Sequence, residues 1–167
     1  DSNTVNVIVM DKKNIDNLQA VIDASKKAIQ MADIDPQTID LIIVGSLTSD
    51  YFFPGVSAQV QDALRISPIG AFDVKAACSA FIYSLSIGDQ FIKTGKYKTV
   101  LVIGAEVQST ALDMSTKGRD MAVLFADGAG AVILKKHDGD SGILSTHLHC
   151  QGKFLKELWC EGPTSRE

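Results

Sequence analysis

Several features that mark particular classes of protein are scarce in this sequence. Its 167 residues include only three cysteines, an odd number without a CxxC pair, which argues against a disulfide framework and favours a reducing, cytoplasmic setting. No apolar run is long enough to cross a bilayer, so no membrane attachment is expected. The net charge is −4 and no tract is dense in Lys or Arg, which argues against a nucleic-acid surface.

The composition that remains is typical of a globular domain. Hydrophobic residues make up 46% of the chain and charged residues 22%, and the length is sufficient for one sizeable core. There is no low-complexity tract, linker or repeat, so we expect residues 1–167 to form one domain. Residues 1–4 do not resemble a signal peptide. Because neither end resembles a natural start or stop, we expect the chain to be a fragment.

Nearly unbroken apolar runs predict buried strands. In residues 39–45, for example, apolar side chains follow one another instead of alternating with polar ones, as is typical of parallel strands covered on both faces. Residues 121–125 are ambiguous. The predicted strands are residues 5–10, 39–45, 71–74, 99–104, 127–135 and 142–149.

Three helices are predicted between these strands. Residues 16–32 carry apolar side chains at helical spacing, with Asp16 as the expected N-cap, and residues 54–64 show a similar pattern. Residues 79–93 are apolar nearly all round, which predicts a buried helix, and Gly95 lies where a C-terminal glycine is expected. The alternation of strands and helices predicts a layered α/β domain.

Cys78 is the strongest candidate for chemistry. It follows a short predicted strand and precedes the apolar helix, so it is expected at a strand-to-helix turn near a helix N-terminus. The positive end of the helix dipole favours the thiolate over the thiol, and the thiolate is the nucleophile. Its neighbours in the sequence are mostly small, which leaves room for a substrate. The alternative from spacing alone is an inert cysteine buried in a strand–helix joint.

An ordered set of motifs resembles the β-ketoacyl-ACP synthase III family. The segment DVKAACSAF around Cys78 is similar to that family's nucleophile motif, and the resemblance covers nearly the whole chain. It implies the N-terminal half of a thiolase-like fold: layered α-β-α, with a mixed, mostly parallel five-stranded sheet. The other matching segments are residues 32–45, 53–54, 102–106, 118–120, 125–131 and 145–149.

The resemblance implies a two-stage reaction without a metal or cofactor. Cys78 is acylated by an acyl-CoA substrate, and malonyl-ACP then undergoes decarboxylative condensation with the acyl-enzyme, the step that initiates fatty-acid synthesis. The backbone N–H of Cys78 is expected to serve as one oxyanion donor. The family's catalytic histidine and asparagine lie in a C-terminal half that this sequence lacks, so these residues alone are not expected to catalyse the full condensation. The implied partners are an acyl carrier protein and a second copy of the chain in a homodimer.

The resemblance also assigns two binding residues. Arg119 is implied to contact the adenine or phosphate end of CoA, because a guanidinium both stacks and binds phosphate; the alternative is a plain surface arginine. Phe53 is implied to gate the acyl pocket of the neighbouring subunit; the alternative is a core aromatic. Glu106 and Asp127 could form a carboxylate pair, which we interpret as structural. The glycines at 128 and 130 lack the spacing of a phosphate loop and are expected to let the strand pass close under the site.

The three histidines are not expected to be catalytic. His147 and His149 would share one face of the predicted last strand, and the only nearby soft metal ligand, Cys150, would point the other way. His137 lies in a polar turn.

Two alternatives to this function stay open. A related type III ketosynthase or acyltransferase of secondary metabolism would have the same fold, and product analysis with and without malonyl-ACP would separate decarboxylating from simple acyl transfer. A non-catalytic half-domain that acts as a scaffold would never be acylated.

Overall fold

A computed structural model describes residues 6–9, 17–139 and 142–159. Asp16, Cys160 and both ends of the chain therefore lie outside the described residues, as does the expected capping role of Asp16. No helix in the described part is long and apolar enough to cross a membrane.

The described chain contains five strands and four α-helices. Short 3-10 turns occur at Pro36–Thr38, Ala77–Ser79 and Gly152–Phe154. The strands are β1 (Asn6–Val9), β2 (Leu41–Gly45), β3 (Gly70–Val74), β4 (Thr99–Glu106) and β5 (Gly128–Lys135), and the helices are α1 (Asn17–Met31), α2 (Val56–Ala63), α3 (Ala80–Lys93) and α4 (Arg119–Ala122). The ambiguous run at 121–125 thus contributes its first residues to α4.

The five strands form one mixed sheet in the order β1-β5-β4-β2-β3. Strands β3, β2 and β4 are parallel to one another, and β5 is antiparallel to β4. Strand β1 is antiparallel to β5, so four of the five strands run in the same direction. The predicted mixed, mostly parallel five-stranded sheet is confirmed.

Strand β2 is buried on both faces because helices pack on both sides of the sheet. Ile42 and Val44 face the core formed with α1 and α2, whereas Leu41 and Ile43 face the core formed with α3. This arrangement explains the continuous apolar run that predicted the strand, since successive side chains point to opposite faces.

The prediction of a buried helix at 79–93 is wrong for most of its residues. In α3 only Ala80, Ser84 and Gly88 are buried, and Ile82 is 49% exposed. The helix packs on the sheet with one face. Part of its other side meets residues 142–149, where Ile143 packs against the α3 core and the hydroxyls of Ser86 and Thr146 lie 3.0 Å apart.

The prediction of a strand at 142–149 is also wrong. The described residues 142–149 form no β ladder, and most of their side chains are exposed. A strand needs an adjacent strand edge to pair with, and this segment runs beside a helix instead. The expectation that His147 and His149 share one strand face fails with it.

Candidate active site

Cys78 lies in the 3-10 turn Ala77–Ser79, between the end of β3 and the start of α3. The α-helix begins two residues after the cysteine, at Ala80, so the cysteine stands at the helix entrance and not within its first turn. Ala77 has a φ of 47°, a left-handed conformation that is uncommon for alanine and is held by the surrounding structure. Cys78 is exposed. The alternative of a cysteine buried in the strand–helix joint is therefore wrong, and the reactivity of Cys78 stays a prediction.

The cysteine borders an open cleft with a volume of about 460 Å³. The cleft is formed where the C-terminal ends of β2 and β4, the start of β5 and the start of α3 meet. Small residues dominate its lining, and Glu106 and Asp127 are its only carboxylates. The lining residues are Gly45, Ala77, Cys78, Ala80, Phe81, Gly104, Ala105, Glu106, Ala126, Asp127, Gly128, Ala129 and Gly130.

Three glycines form a row across the sheet at this cleft. Gly45 on β2 pairs with Gly104 on β4, and Gly104 pairs with Gly130 on β5. A Cβ atom on Gly45 would lie 2.9 Å from the backbone carbon of Ala80, and one on Gly104 would lie 3.1 Å from the ring of Phe81. The missing side chains thus let α3 approach the strand ends closely. Gly128 and Gly130 also line the cleft, and the expectation that they let β5 pass close under the site stays a prediction.

Glu106 uses its carboxylate to hold the chain that leaves β2. The backbone N–H of Leu47 donates to Oε1 at 2.8 Å, and the Thr48 hydroxyl donates to Oε2 at 2.7 Å. The Thr48 hydroxyl oxygen also accepts from the Val107 backbone N–H at 2.8 Å. Both oxygens of Glu106 are therefore engaged within the protein, as its structural interpretation requires.

Asp127 is held in a similar way, directly before Gly128, the residue that pairs with Glu106 across β4 and β5. Its Oδ1 accepts from the Ser109 backbone N–H at 2.7 Å, and its Oδ2 accepts from the Ser109 hydroxyl at 2.6 Å. These bonds join the start of β5 to the loop that follows β4. The contacts of both carboxylates favour a structural role for the pair.

Arg119 begins the short helix α4 and does not line the Cys78 cleft. Its Nε lies 3.6 Å from the carboxylate of Asp120, and both side chains are largely exposed. The preceding turn is closed by Asp113, whose Oδ1 accepts from the Ser115 N–H at 2.8 Å. Hydrogen bonds from the backbone N–H and then the side chain of Ser115 hold the pKa of Asp113 below its usual value. Arg119 is thus presented to solvent by an ordered turn.

Phe53 projects from the loop between β2 and α2. It is 80% exposed and meets Phe52 edge to face, with ring centroids 6.3 Å apart. The alternative of a core aromatic is therefore wrong. Phe53 is not among the residues that line the Cys78 cleft of its own chain.

The histidines take no part in the cleft. His147 lies within 3.2 Å of the Ser145 hydroxyl, and the exposed His149 is close to it in the sequence. No group of three His, Cys, Asp or Glu side chains within the described ranges could hold a metal ion.

Sequence reasoning missed three residues that organise this region. Asp50 accepts from the first N–H groups of α1, Asp73 accepts from those of α2, and Thr48 bridges Glu106 to the end of β4. Each acts on a segment distant in the chain. Asp and Thr are common in loops and strand ends, so no local pattern distinguished these three.

A family model described as 3-oxoacyl-[acyl-carrier-protein] synthase III matches residues 72–152, a range that includes Cys78, Arg119 and the glycine segment of β5. The β-ketoacyl-[acyl-carrier-protein] synthase III of Xanthomonas campestris pv. campestris (strain 8004) is 49% identical over 136 residues, 81% of this chain and 41% of that protein. The one from Ehrlichia canis (strain Jake) is 48% identical over 143 residues, 85% of this chain and 44% of that protein.

Solved structures agree with these sequence matches. The crystal structure of 3-oxoacyl-[acyl-carrier-protein] synthase III from Aquifex aeolicus VF5 has a TM-score of 0.80 and 43% identity, and the match covers 86% of this chain and 46% of that one. The predicted thiolase-like α/β fold and the resemblance to the N-terminal part of this family are confirmed. The chain spans less than half the length of the relatives it matches.

Proposed function

We propose that this chain, which matches the N-terminal part of the β-ketoacyl-ACP synthase III family, carries the acyl-accepting cysteine of such an enzyme at Cys78. The observation that supports this most directly is an exposed cysteine at a strand-to-helix turn, on the border of an open cleft lined by small residues. A cleft of that lining lets a thioester approach the sulfur and the backbone around it.

The first proposed step is acyl transfer. The Cys78 thiolate attacks the carbonyl carbon of an acyl-CoA, a new C–S bond forms, and CoA leaves as its thiolate, so that Cys78 becomes a thioester. The backbone N–H of Cys78 is proposed as one donor to the oxyanion of the tetrahedral intermediate. No metal or redox cofactor takes part.

The second proposed step is carried out by the complete protein. Malonyl-ACP loses carbon dioxide, and the resulting carbanion attacks the acyl-Cys78 thioester, releasing the cysteine and forming a β-ketoacyl-ACP. In fatty-acid synthesis this is the initiating condensation. We place it in the cytoplasm, with residues 1–167 as the N-terminal thiolase-like domain.

Arg119 and Phe53 are proposed as substrate-binding residues. Both are exposed on ordered turns or loops, where they are accessible to a ligand or a second subunit. Arg119 would contact the adenine or phosphate end of CoA, and Phe53 would close the acyl pocket of the partner in a homodimer. A guanidinium suits phosphate and aromatic rings, and an exposed phenyl ring suits an apolar pocket.

The test is the intact mass of the protein after incubation with acetyl-, butyryl- or octanoyl-CoA. We expect one acyl adduct per chain on the wild type and none on Cys78→Ser, because serine in that position lacks a readily formed anion. Arg119→Ala should still be acylated, but at a higher half-saturating acyl-CoA concentration. Adding malonyl-ACP to the acylated complete protein should remove the adduct and release a β-ketoacyl-ACP.

Other results would redirect the assignment. An adduct that malonyl-ACP leaves in place, but that an alcohol or amine removes, would identify an acyltransferase without decarboxylation. If the complete protein is folded but acquires no adduct from any of the three thioesters, the proposal is contradicted. The alternative of a non-catalytic domain that acts as a scaffold would then be favoured.

A further inference from the structure

The segment from Leu47 to Ser57 joins β2 to α2 and carries an aromatic tip. Tyr51, Phe52 and Phe53 are 60%, 83% and 80% exposed. Exposed apolar rings on a free loop would be expected to collapse or to move. In this protein, however, both flanks of the segment are fixed by carboxylates from neighbouring strands.

The first flank is held by Glu106 at the end of β4. Its two oxygens accept from the Leu47 backbone N–H and the Thr48 hydroxyl at 2.8 and 2.7 Å. Thr48 is further tied by its backbone oxygen, which accepts from the side-chain amide of the buried Asn17 at 2.7 Å. Hydrogen bonds to a charged carboxylate are the stronger kind, so this flank has little freedom.

The second flank is held by Asp73 on β3. Its Oδ2 accepts from the Val56 N–H at 2.7 Å, and its Oδ1 accepts from the Ser57 N–H at 2.9 Å. These are the first two N–H groups of α2, whose N-cap, Gly55, has no side chain to satisfy them. The space in which a Cβ of Gly55 would lie is occupied by the Asp73 carboxylate. A carboxylate at this position is stabilised by the helix dipole.

One of the two carboxylates lies in the Cys78 cleft, and the other lies on the strand that leads into the Cys78 turn. Glu106 lines the cleft itself, and Asp73 precedes Cys78 by five residues on the strand that leads into its turn. The aromatic tip is therefore anchored both to β4, which lines the cleft, and to β3, which leads into the Cys78 turn.

We propose that Asp73 and Glu106 are positioning residues that fix the 47–57 segment relative to the cysteine site and thereby set its discrimination between short and long acyl chains. The inference rests on the proposed acylation of Cys78 and on the proposed reach of Phe53 to the partner's cleft. An apolar ring held in one place limits the depth of an acyl pocket, whereas a ring on a loose loop yields to a longer chain.

Four variants of the complete protein test the two flanks separately. Asp73→Asn presents an amide NH₂ to one of the two helix N–H groups, so it loses an acceptor. Glu106→Ala loses both. Glu106→Gln serves as the rescue, because its Oε1 still accepts from Leu47 and its amide donates to the Thr48 hydroxyl. Asp62→Asn, on an exposed position of α2, is the matched control.

Two quantities are measured on each variant. Hydrogen–deuterium exchange of peptides covering 47–57 reports whether the segment is held, and we expect roughly tenfold faster exchange in Asp73→Asn and Glu106→Ala. The ratio of Cys78 acylation rates with octanoyl- and acetyl-CoA reports chain selection, and we expect it to move toward one by roughly threefold or more in both variants. Glu106→Gln should fall between Glu106→Ala and the wild type, and Asp62→Asn should match the wild type. The alkylation rate of Cys78 by the small reagent iodoacetamide should be the same in Asp73→Asn and Asp62→Asn as in the wild type, since neither change alters a residue that lines the cleft.

The inference is overturned by unchanged exchange in both variants, or by loosened exchange with an unchanged ratio of rates. Failure of the proposed function looks different, because the wild type would then acquire no acyl group from either thioester. In that case the same ratio is measured with N-octylmaleimide and N-ethylmaleimide, which alkylate Cys78 without CoA chemistry. A ratio that the two variants do not alter would again overturn the inference.

Discussion

At the scale of single residues, the site depends on the absence of side chains as much as on their presence. Gly45 and Gly104 are adjacent across β2 and β4, and together they receive the first turn of α3. Cys78 lies immediately before that turn. The distance between helix and sheet at these two glycines therefore fixes where the cysteine stands over the cleft.

Gly45→Ala should destabilise the fold by about 1–3 kcal/mol, because the added methyl group would meet the backbone of Ala80, which cannot move aside alone. Urea unfolding measures the loss. Gly152→Ala is the control, since its Cβ would meet no atom within 4 Å, and it should have little effect. Equal stabilities for Gly45→Ala and the wild type would show that α3 can shift away from the sheet without cost.

At the scale of elements, the three long helices end in the same backbone motif. After each helix, one residue with positive φ and the next residue donate back to carbonyls of the last turn. The residues with positive φ are Asp33 at 48°, Arg65 at 55° and Gly95 at 74°. Only the glycine was recognisable from the sequence, and the prediction of Gly95 as a C-terminal glycine is confirmed. Asp and Arg give no such signal, because tertiary packing imposes their conformation.

Arg65→Gly should raise the free energy of unfolding by about 0.5–1 kcal/mol, since glycine avoids the left-handed penalty but loses more chain entropy on folding. The thermal midpoint or a urea titration measures the gain. Arg65→Ala is the matched variant, because alanine keeps the penalty while removing the same charge, and it should leave stability nearly unchanged. A gain of the same size in both variants would attribute the effect to charge and not to φ.

At the scale of the whole molecule, apolar side chains are exposed on three surfaces of the described chain. Strand β3 is at one edge of the described sheet, with Phe72 36% exposed. The aromatic tip at 51–53 and the outer side of α3 are further apolar surfaces. An exposed edge strand with an aromatic residue favours pairing with another chain, in line with the proposed homodimer.

Sedimentation equilibrium should give the wild type a mass of two chains. Phe72→Lys should shift the mass toward one chain, because a lysine on an edge strand disfavours edge-to-edge pairing. Phe154→Lys, at a position that is 51% exposed and lies in the turn Gly152–Phe154, is the control and should remain dimeric. A wild type that sediments as a single chain at tens of micromolar would contradict the homodimer.

The sequence by itself determined the five strands of the sheet, the three long helices and the place of Cys78 between β3 and α3. Continuous apolar runs and helical spacing are local properties that burial on a sheet directly requires. The same local reading failed at residues 142–149, since a strand also needs an adjacent edge. It failed at α3 too, because the apolar composition of a helix does not determine how much of its surface other elements bury.

Only the tertiary structure decided which carboxylates hold which segments. Asp50 caps α1 from 32 and 33 residues away, Asp73 caps α2 from 16 and 17, and Glu106 holds the chain after β2 from 58 and 59. Glu106 and Asp73 meet their partners because β4 and β3 lie on either side of β2 in the sheet. Strand order depends on the packing of the whole domain. The identity and position of an aspartate or glutamate in the sequence therefore do not reveal which distant segment it will hold.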